Sequence, residues 1–252
     1  MRASIAFIPA RGGSKRFPGK ALAPFRGRSL IVCTIETALA SGCFTRIVVS
    51  SDAEPILAEA SRIPGTEARW RPAALGSDLA TTMDVLVDFL TDPYAHRLYD
   101  GSATPNASLS RVEGRTDVAL MQPTCPLLQP EDVRRTVSLL GNGIDAAVSV
   151  VAVSIPPEFC FPVDERTGIC EISPESALVQ GRTRKQAHRQ SYTPNGAIYA
   201  STVDGILARR SFFKGAVAAY RMPRERSVDI DERYDLELAE FLGGRLEERD
   251  GQ

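Results

Sequence analysis

The sequence predicts an α/β protein with a mostly parallel central sheet flanked by helices on both faces. Short, β-branched apolar runs alternate with segments whose apolar residues recur at helical spacing. Capping and turn residues stand at the joints between them. The 252 residues, with 43% hydrophobic and 24% charged side chains, suffice for one large core, and residues 1–252 are read as a single domain.

Each element follows in order. Ser4–Pro9 is a short apolar run closed by proline, a buried strand. Ser29–Ala40, SLIVCTIETALA, has helical spacing, with Ser29 as N-cap and Gly42 as the stop. Arg46–Ser50, RIVVS, is the second strand, and Ala53–Ser61 the next helix. Thr81–Leu90 is a helix capped by Ser77 or Asp78, and the polar stretch Tyr99–Arg115 reads as a mobile loop. Asp117–Gln122 is a central strand, Pro130–Leu140 a helix and Asp145–Val153 a strand. Ser154–Pro194, with its prolines, short alternating runs and basic end, reads as a hairpin-like excursion suited to a dimerisation arm. GAIYA (196–200) and GAVAAYRM (215–222) return to strand character, and Asp231–Arg249 forms an amphipathic helix capped by Asp231.

Composition excludes several functions. No apolar run approaches the ~18–20 residues of a membrane span. The first residues lead directly into a charged loop without a small-residue cleavage pattern, so they read as a strand and not as a signal peptide. Five cysteines with no C-x-x-C pair suit free thiols in a reducing cytoplasm, and His96 and His188 lack zinc spacing. Net charge is −1, yet Arg2, Arg11, Lys15, Arg16, Lys20, Arg26 and Arg28 all precede the first acid, Glu36. Positive charge confined to one loop points to a small anionic ligand and away from nucleic acid.

That loop, IPARGGSKRFPGK (8–20), follows a strand. Open α/β sheets bind ligands outside the carboxyl ends of their strands. Glycines at 12 and 13 let backbone N–H groups approach phosphate oxygens, and the cations neutralise them. Ser14 and Ala21 exclude a Walker loop. A solvated basic turn is the competing reading. Late in the chain, SVDIDERYDLELAE places Asp229 and Asp231 on one face of an extended segment, ~6.5–7 Å apart at Cα. Such a pair can share Mg²⁺ with phosphate oxygens; alternatively Asp231 only caps the helix. Gln122 emerges at the end of the central strand and suits a base or sugar contact, or a turn before Pro123. Arg69 and Arg71 precede a hydroxyl cluster at Thr81 and Thr82, and Trp70 reads as packed. RTRKQAHRQ gathers Arg182, Arg184, Lys185, His188 and Arg189, either to bind a carboxylate or as a solvated face. Asn195-Gly196 reads as a tight turn, or Asn195 faces a ligand.

Together IPARGGSKRFPGK, RIVVSSD, RPAALGSDLATT, QPTCPL, NGAIY and VDIDERYDLELAE, in order across nearly the whole chain, resemble the acylneuraminate cytidylyltransferase family. The resemblance implies a Rossmann-like nucleotidyltransferase fold with a small dimerisation arm. It implies transfer of CMP from CTP to a nine-carbon α-keto acid sugar, N-acetylneuraminic or legionaminic acid, in a cytoplasmic homodimer. Pseudaminic acid, 3-deoxy-manno-octulosonate, or a non-catalytic binding module of the same fold are the alternatives. By motif position Arg11, Gly12, Gly13, Ser14, Lys15 and Lys20 would hold the triphosphate. Arg71 and Thr82 would sit near the nucleotide, and Gln122, Arg184, Lys185 and Asn195 would meet the sugar. Asp229 and Asp231 would carry Mg²⁺, and Arg11, Lys20, Asp229 and Asp231 would be catalytic. Two departures stand out: Ala21 where relatives often have asparagine, and Arg184-Lys185-Gln186-Ala187 where the arm motif commonly reads Arg-Arg-Gln-Asp.

Overall fold

A computed structural model describes residues 4–77, 79–91 and 116–250. The expected loop at Tyr99–Arg115 lies outside them. In chain order come β1 (Ser4–Pro9), a small hairpin of β2 (Pro24–Phe25) and β3 (Arg28–Ser29), α1 (Leu30–Ser41), β4 (Arg46–Ser51), α2 (Glu54–Ser61), β5 (Thr66–Trp70) and α3 (Thr82–Thr91). Then follow β6 (Asp117–Met121), α4 (Pro130–Ser138), β7 (Ala146–Ala152), β8 (Tyr192–Thr202), α5 (Val203–Arg209), β9 (Val217–Arg221) and α6 (Arg233–Asp250).

Seven strands form one sheet in the order β5-β4-β1-β6-β8-β7-β9. All neighbours pair in parallel except β8, which runs antiparallel to both β6 and β7. The period of two in β1 explains the layering. Ala6 and Ile8 face one cluster with α1, α2 and α4, built on Ile31, Ile35, Leu57 and Val133. Ile5 and Phe7 face the other, with Leu86 and Phe89 of α3 and Ile206 of α5. Phe7 and Phe89 stack at 5.0 Å. A third cluster joins Phe25, Leu30, Leu127, Ile230, Leu236 and Ala239, seating α6 against the hairpin and α1.

Ser29 caps α1, accepting from the Val32 N–H at 3.4 Å, and Gly42 stops it at φ 65°. Elsewhere local chemistry differs from expectation. Thr81, not Ser77, caps α3: its Oγ1 accepts from Asp84 N at 3.1 Å, while Asp84 Oδ2 accepts from Thr81 N at 3.0 Å. Asp78, the other expected cap, lies outside the described residues. Asn195-Gly196 is not a turn, since both lie inside β8. Gly196 takes φ 80°, and the β7/β8 register shifts between Val148 and Val150, so the pair marks a bulge. The excursion does contain a hairpin, with Val163 bridging Cys170. Strand β5, helix α5 and the β2/β3 hairpin have no counterpart among the expected elements, because each is short or lacks a clean apolar period.

Candidate functional site

The carboxyl ends of β1, β4, β5 and β6 open onto one rim. The antiparallel course of β8 brings its first residues to the same side. The loop after β1 runs over this rim to Gly19, whose φ of 71° is left-handed and turns the chain into the short helical turn Lys20–Leu22. The third apolar cluster holds the end of this loop beside Ile230. Two residues 211 positions apart therefore meet: Lys20 Nζ donates to Asp231 Oδ1 at 3.1 Å, and also to the Ile230 carbonyl at 2.7 Å. Arg16 Nη2 reaches the other oxygen of Asp231 at 2.9 Å. Partial burial works to raise the Asp231 carboxyl, but Lys20 and Arg16 outweigh it and hold it below the ordinary carboxylate range.

The expectation that Asp231 caps α6 is corrected here. Asp235 Oδ2 accepts from the N–H groups of Asp231 and Glu232 at 2.9 and 2.8 Å. The Asp231 carboxylate is thereby released to face the loop cations.

Between them lies a cavity of about 240 Å³. Arg11, Ser14, Lys15, Lys20, Arg71, Thr82 and Gln122 line it, with Arg16, Ala80, Thr124 and Asp231. Arg71 is 7% exposed, and its Nη2 donates to the Ser50 carbonyl at 2.9 Å while its Nε is buried without a partner. Burial lowers the Arg71 pKa, Asp52 opposes this, and Arg11 and Arg69 add to it. A buried guanidinium beside another cation favours an anion in the cavity.

The two loop glycines do different work. A Cβ on Gly12 would lie 2.7 Å from Ala53 Cβ, and the Gly12 N–H donates to Asp52 Oδ1 at 2.9 Å. Gly12 is thus required for close backbone packing, and its N–H is held by Asp52. Gly13 faces open space.

Asp229 lies beside the cavity, on a neighbouring hollow lined also by Val151, Val228, Asp235 and Leu238. Its approach is fitted to Gly196: a Cβ there would meet Asp229 Oδ2 at 2.7 Å. Desolvation pushes the Asp229 carboxyl up, the Thr124 hydroxyl opposes this, and the charge of Asp231 adds to it. The neighbouring Tyr199 hydroxyl is pushed up to about 12, chiefly by burial, with the fields of Cys125 and Asp229 contributing. Among the described residues no group of three or more His, Cys, Asp or Glu could hold a metal by itself. Two hard carboxylates close enough in space for the charge of Asp231 to add to the desolvation of Asp229 nevertheless fit Mg²⁺, which usually takes one or two carboxylates together with phosphate oxygens and water.

Three expected sugar contacts stand elsewhere. Asn195 is 4% exposed, so it does not line the cavity. Its Oδ1 accepts from Ser149 Oγ at 2.6 Å, and its Nδ2 donates to Ser227 Oγ at 3.0 Å. Arg184 and Lys185 are exposed on the excursion and also absent from the cavity wall. His188 packs within the excursion, edge-on to Phe159 at 4.9 Å. Arg16, Asp52, Thr124 and Gly196 join the site without having been selected as site residues. Arg16 belongs to the basic loop and Asp52 directly follows the RIVVSS strand, which are the signals that would have found them.

Residues 5–153 match the family described as Cytidylyltransferase. A CMP-N,N'-diacetyllegionaminic acid synthase of Legionella pneumophila is 31% identical over 94% of this chain and 95% of that protein. An N-acylneuraminate cytidylyltransferase of Streptococcus agalactiae is also 31% identical, over 92% of this chain but 51% of its own length. A CTP complex of CMP:2-keto-3-deoxy-manno-octonic acid synthetase shares the fold at a TM-score of 0.64 and 19% identity, covering 96% of this chain and 99% of that one.

Proposed function

Because this chain belongs to the cytidylyltransferase family, as a nucleotidyltransferase of the acylneuraminate type, we propose that it uses CTP to activate a nine-carbon acidic sugar, N-acetylneuraminic or legionaminic acid. The sugar's anomeric oxygen attacks the α-phosphorus. A new P–O bond forms, the bond to the bridging oxygen breaks, the hydroxyl proton passes to solvent water, and pyrophosphate leaves with the electron pair of the broken bond. The single observation that carries this reading is the cavity in which Lys20, Arg16 and the buried Arg71 face Asp231.

In this reading Arg11, Ser14, Lys15 and Lys20 bind the triphosphate; Gly12, its N–H held by Asp52, seats the loop against Ala53, and Gly13 leaves the backbone beside it open. Arg71 and Thr82 orient the nucleotide, and Gln122 faces the incoming sugar. Lysine and arginine on the loop stabilise charge moving onto the leaving group, the kind of preorganised stabilisation worth ~2.7–4 kcal/mol per donor. Asp229 and Asp231 would hold Mg²⁺, which when bound supplies charge neutralisation at the phosphates. The Lys20 and Arg16 contacts to Asp231 keep that carboxylate ionised and aimed at the cavity before substrate arrives.

Arg184 and Lys185 would serve the sugar carboxylate only across an assembly. The excursion exposes Ile155, Phe161, Val163, Ile169, Ile172 and Val179, which supports its reading as a dimerisation arm. Sedimentation at micromolar concentration tests it, with a monomer counting against the arm. Five free cysteines suit a reducing cytoplasm, and no described helix is long and apolar enough to cross a membrane.

Purified protein incubated with CTP, Mg²⁺ and a panel of nine-carbon acids, with the eight-carbon 3-deoxy-manno-octulosonate beside them, tests the reaction. CMP-sugar from N-acetylneuraminic or legionaminic acid, seen by mass spectrometry, is the expected result. Turnover only with pseudaminic acid or the octulosonate would move the substrate, and CTP binding without any CMP-sugar would leave a binding module.

A further inference from the structure

We infer that the ion pair between the buried Asp132 and the half-buried Arg226 positions Asp229, and so sets the affinity of the site for its divalent ion; this rests on the reading of Asp229 as a metal carboxylate. Asp132 is 0% exposed, in the first turn of α4. Its carboxylate accepts from the Gln129 N–H at 2.9 Å, Arg226 Nε at 3.1 Å, Arg226 Nη2 at 2.6 Å and Tyr220 Oη at 2.9 Å. Both oxygens are engaged by a planar fork, so the direction of the Arg226 side chain is fixed as well as its distance.

Capping α4 does not need Arg226, because Gln129 and Asp132 already satisfy each other reciprocally. A buried ion pair is also weak evidence for stability, since desolvation offsets its attraction. Its distinctive feature is what it connects. Arg226 stands three residues before Asp229, on the segment that links β9 to α6. The far side of Asp229 is tied at Ile230, whose N–H donates to the Thr124 carbonyl at 2.8 Å. Thr124 and Asp132 lie at the two ends of one stretch that leaves β6 and enters α4. Asp229 is therefore suspended between two attachments to a single stretch of chain, at Thr124 and at Asp132. Ser227, held by Asn195 at 3.0 Å, supports the span from below. Releasing the Arg226 attachment frees the span on one side and lets the carboxylate leave its place beside Gly196.

The test uses full-length protein with Mn²⁺ as probe and CTP present, and reads the bound ion by water-proton relaxation enhancement. The double variant Asp132→Asn with Arg226→Met removes both charges, while the introduced side-chain amide oxygen can still accept from the Gln129 N–H and so keep the α4 cap. We expect a near-native melting temperature and Mn²⁺ affinity weakened by about 10-fold or more, the range seen when groups that orient metal ligands are lost. Arg226→Lys keeps the charge but loses the fork, and a smaller loss of a few-fold is expected. Native Mn²⁺ affinity in the folded double variant, or in Arg226→Lys should the double fail to fold, overturns the positioning role. Asp229→Asn runs alongside: if it also binds Mn²⁺ normally, the metal reading itself fails, whereas loss there with no loss in the pair variants removes only the inference drawn here.

Discussion

Replacing Lys20 by methionine keeps the aliphatic stem and removes the ammonium. The group is 15% exposed and 3.1 Å from Asp231. At that separation the Coulomb attraction is ~1.3 kcal/mol with the dielectric of water and ~5 kcal/mol at the effective value of about 20. Asp231 is 45% exposed, so the working figure lies between the two limits. A comparable attraction toward the leaving phosphate predicts ~3 kcal/mol of lost transition-state stabilisation, a fall in kcat of roughly 100-fold. Lys20→Arg should recover part of it. The assay is the initial rate of pyrophosphate release with CTP and the best sugar, at fixed Mg²⁺, with folding checked by thermal melting. A Lys20→Met protein within threefold of the native rate would refute the argument that this ammonium faces the reacting phosphates.

Other substitutions separate site geometry from general stability. Gly196→Ala forces a side chain into φ 80° and sets a Cβ 2.7 Å from Asp229; strain of ~1–2 kcal/mol should accompany a larger fall in turnover than in melting temperature, and equal activity would count against the fit of Asp229 to Gly196. Phe89→Ala removes a ring that is 2% exposed and stacked on Phe7, so ~3–5 kcal/mol of unfolding free energy should be lost in denaturant titrations. The carboxyl of Asp84 is held below its ordinary range by the Thr81 hydroxyl first, then the Thr81 N–H and Arg210. Its stabilising contribution is therefore present above the unfolded pKa and fades as pH falls through the lower folded value. Asp84→Asn should flatten the decline of melting temperature below about pH 4, and parallel curves would refute the assignment.

Much of this was legible before any coordinates. Uninterrupted β-branched runs and strong caps, such as Ser29 and Gly42, specify their elements locally, so β1, α1 and β4 emerge near their observed bounds. The basic loop and the Asp229–Asp231 pair were visible as residues, and the resemblance implied that they share a site; the packing that brings them together, Ile230 and Leu236 against Phe25 and Leu30, was not. Asp231 had two local options, cap or ligand, and only the placement of Asp235 decides between them. Asn195 illustrates the reverse limit. Asn-Gly is a strong turn signal in isolation, yet the neighbouring strands hold it inside an eleven-residue strand, where the glycine takes up a bulge and the amide braces Ser149 and Ser227.

The reversal of β8 has an architectural outcome of its own. Because β7 climbs to the rim and β8 descends from it, whatever sequence lies between them leaves from the same rim of the sheet, beside the hollow that holds Asp229. Residues 153–191 can consequently lengthen, shorten or change chemistry while the sheet beneath keeps its hydrogen bonds. A segment inserted in this way can be exchanged as one piece, because both of its ends enter and leave the sheet side by side.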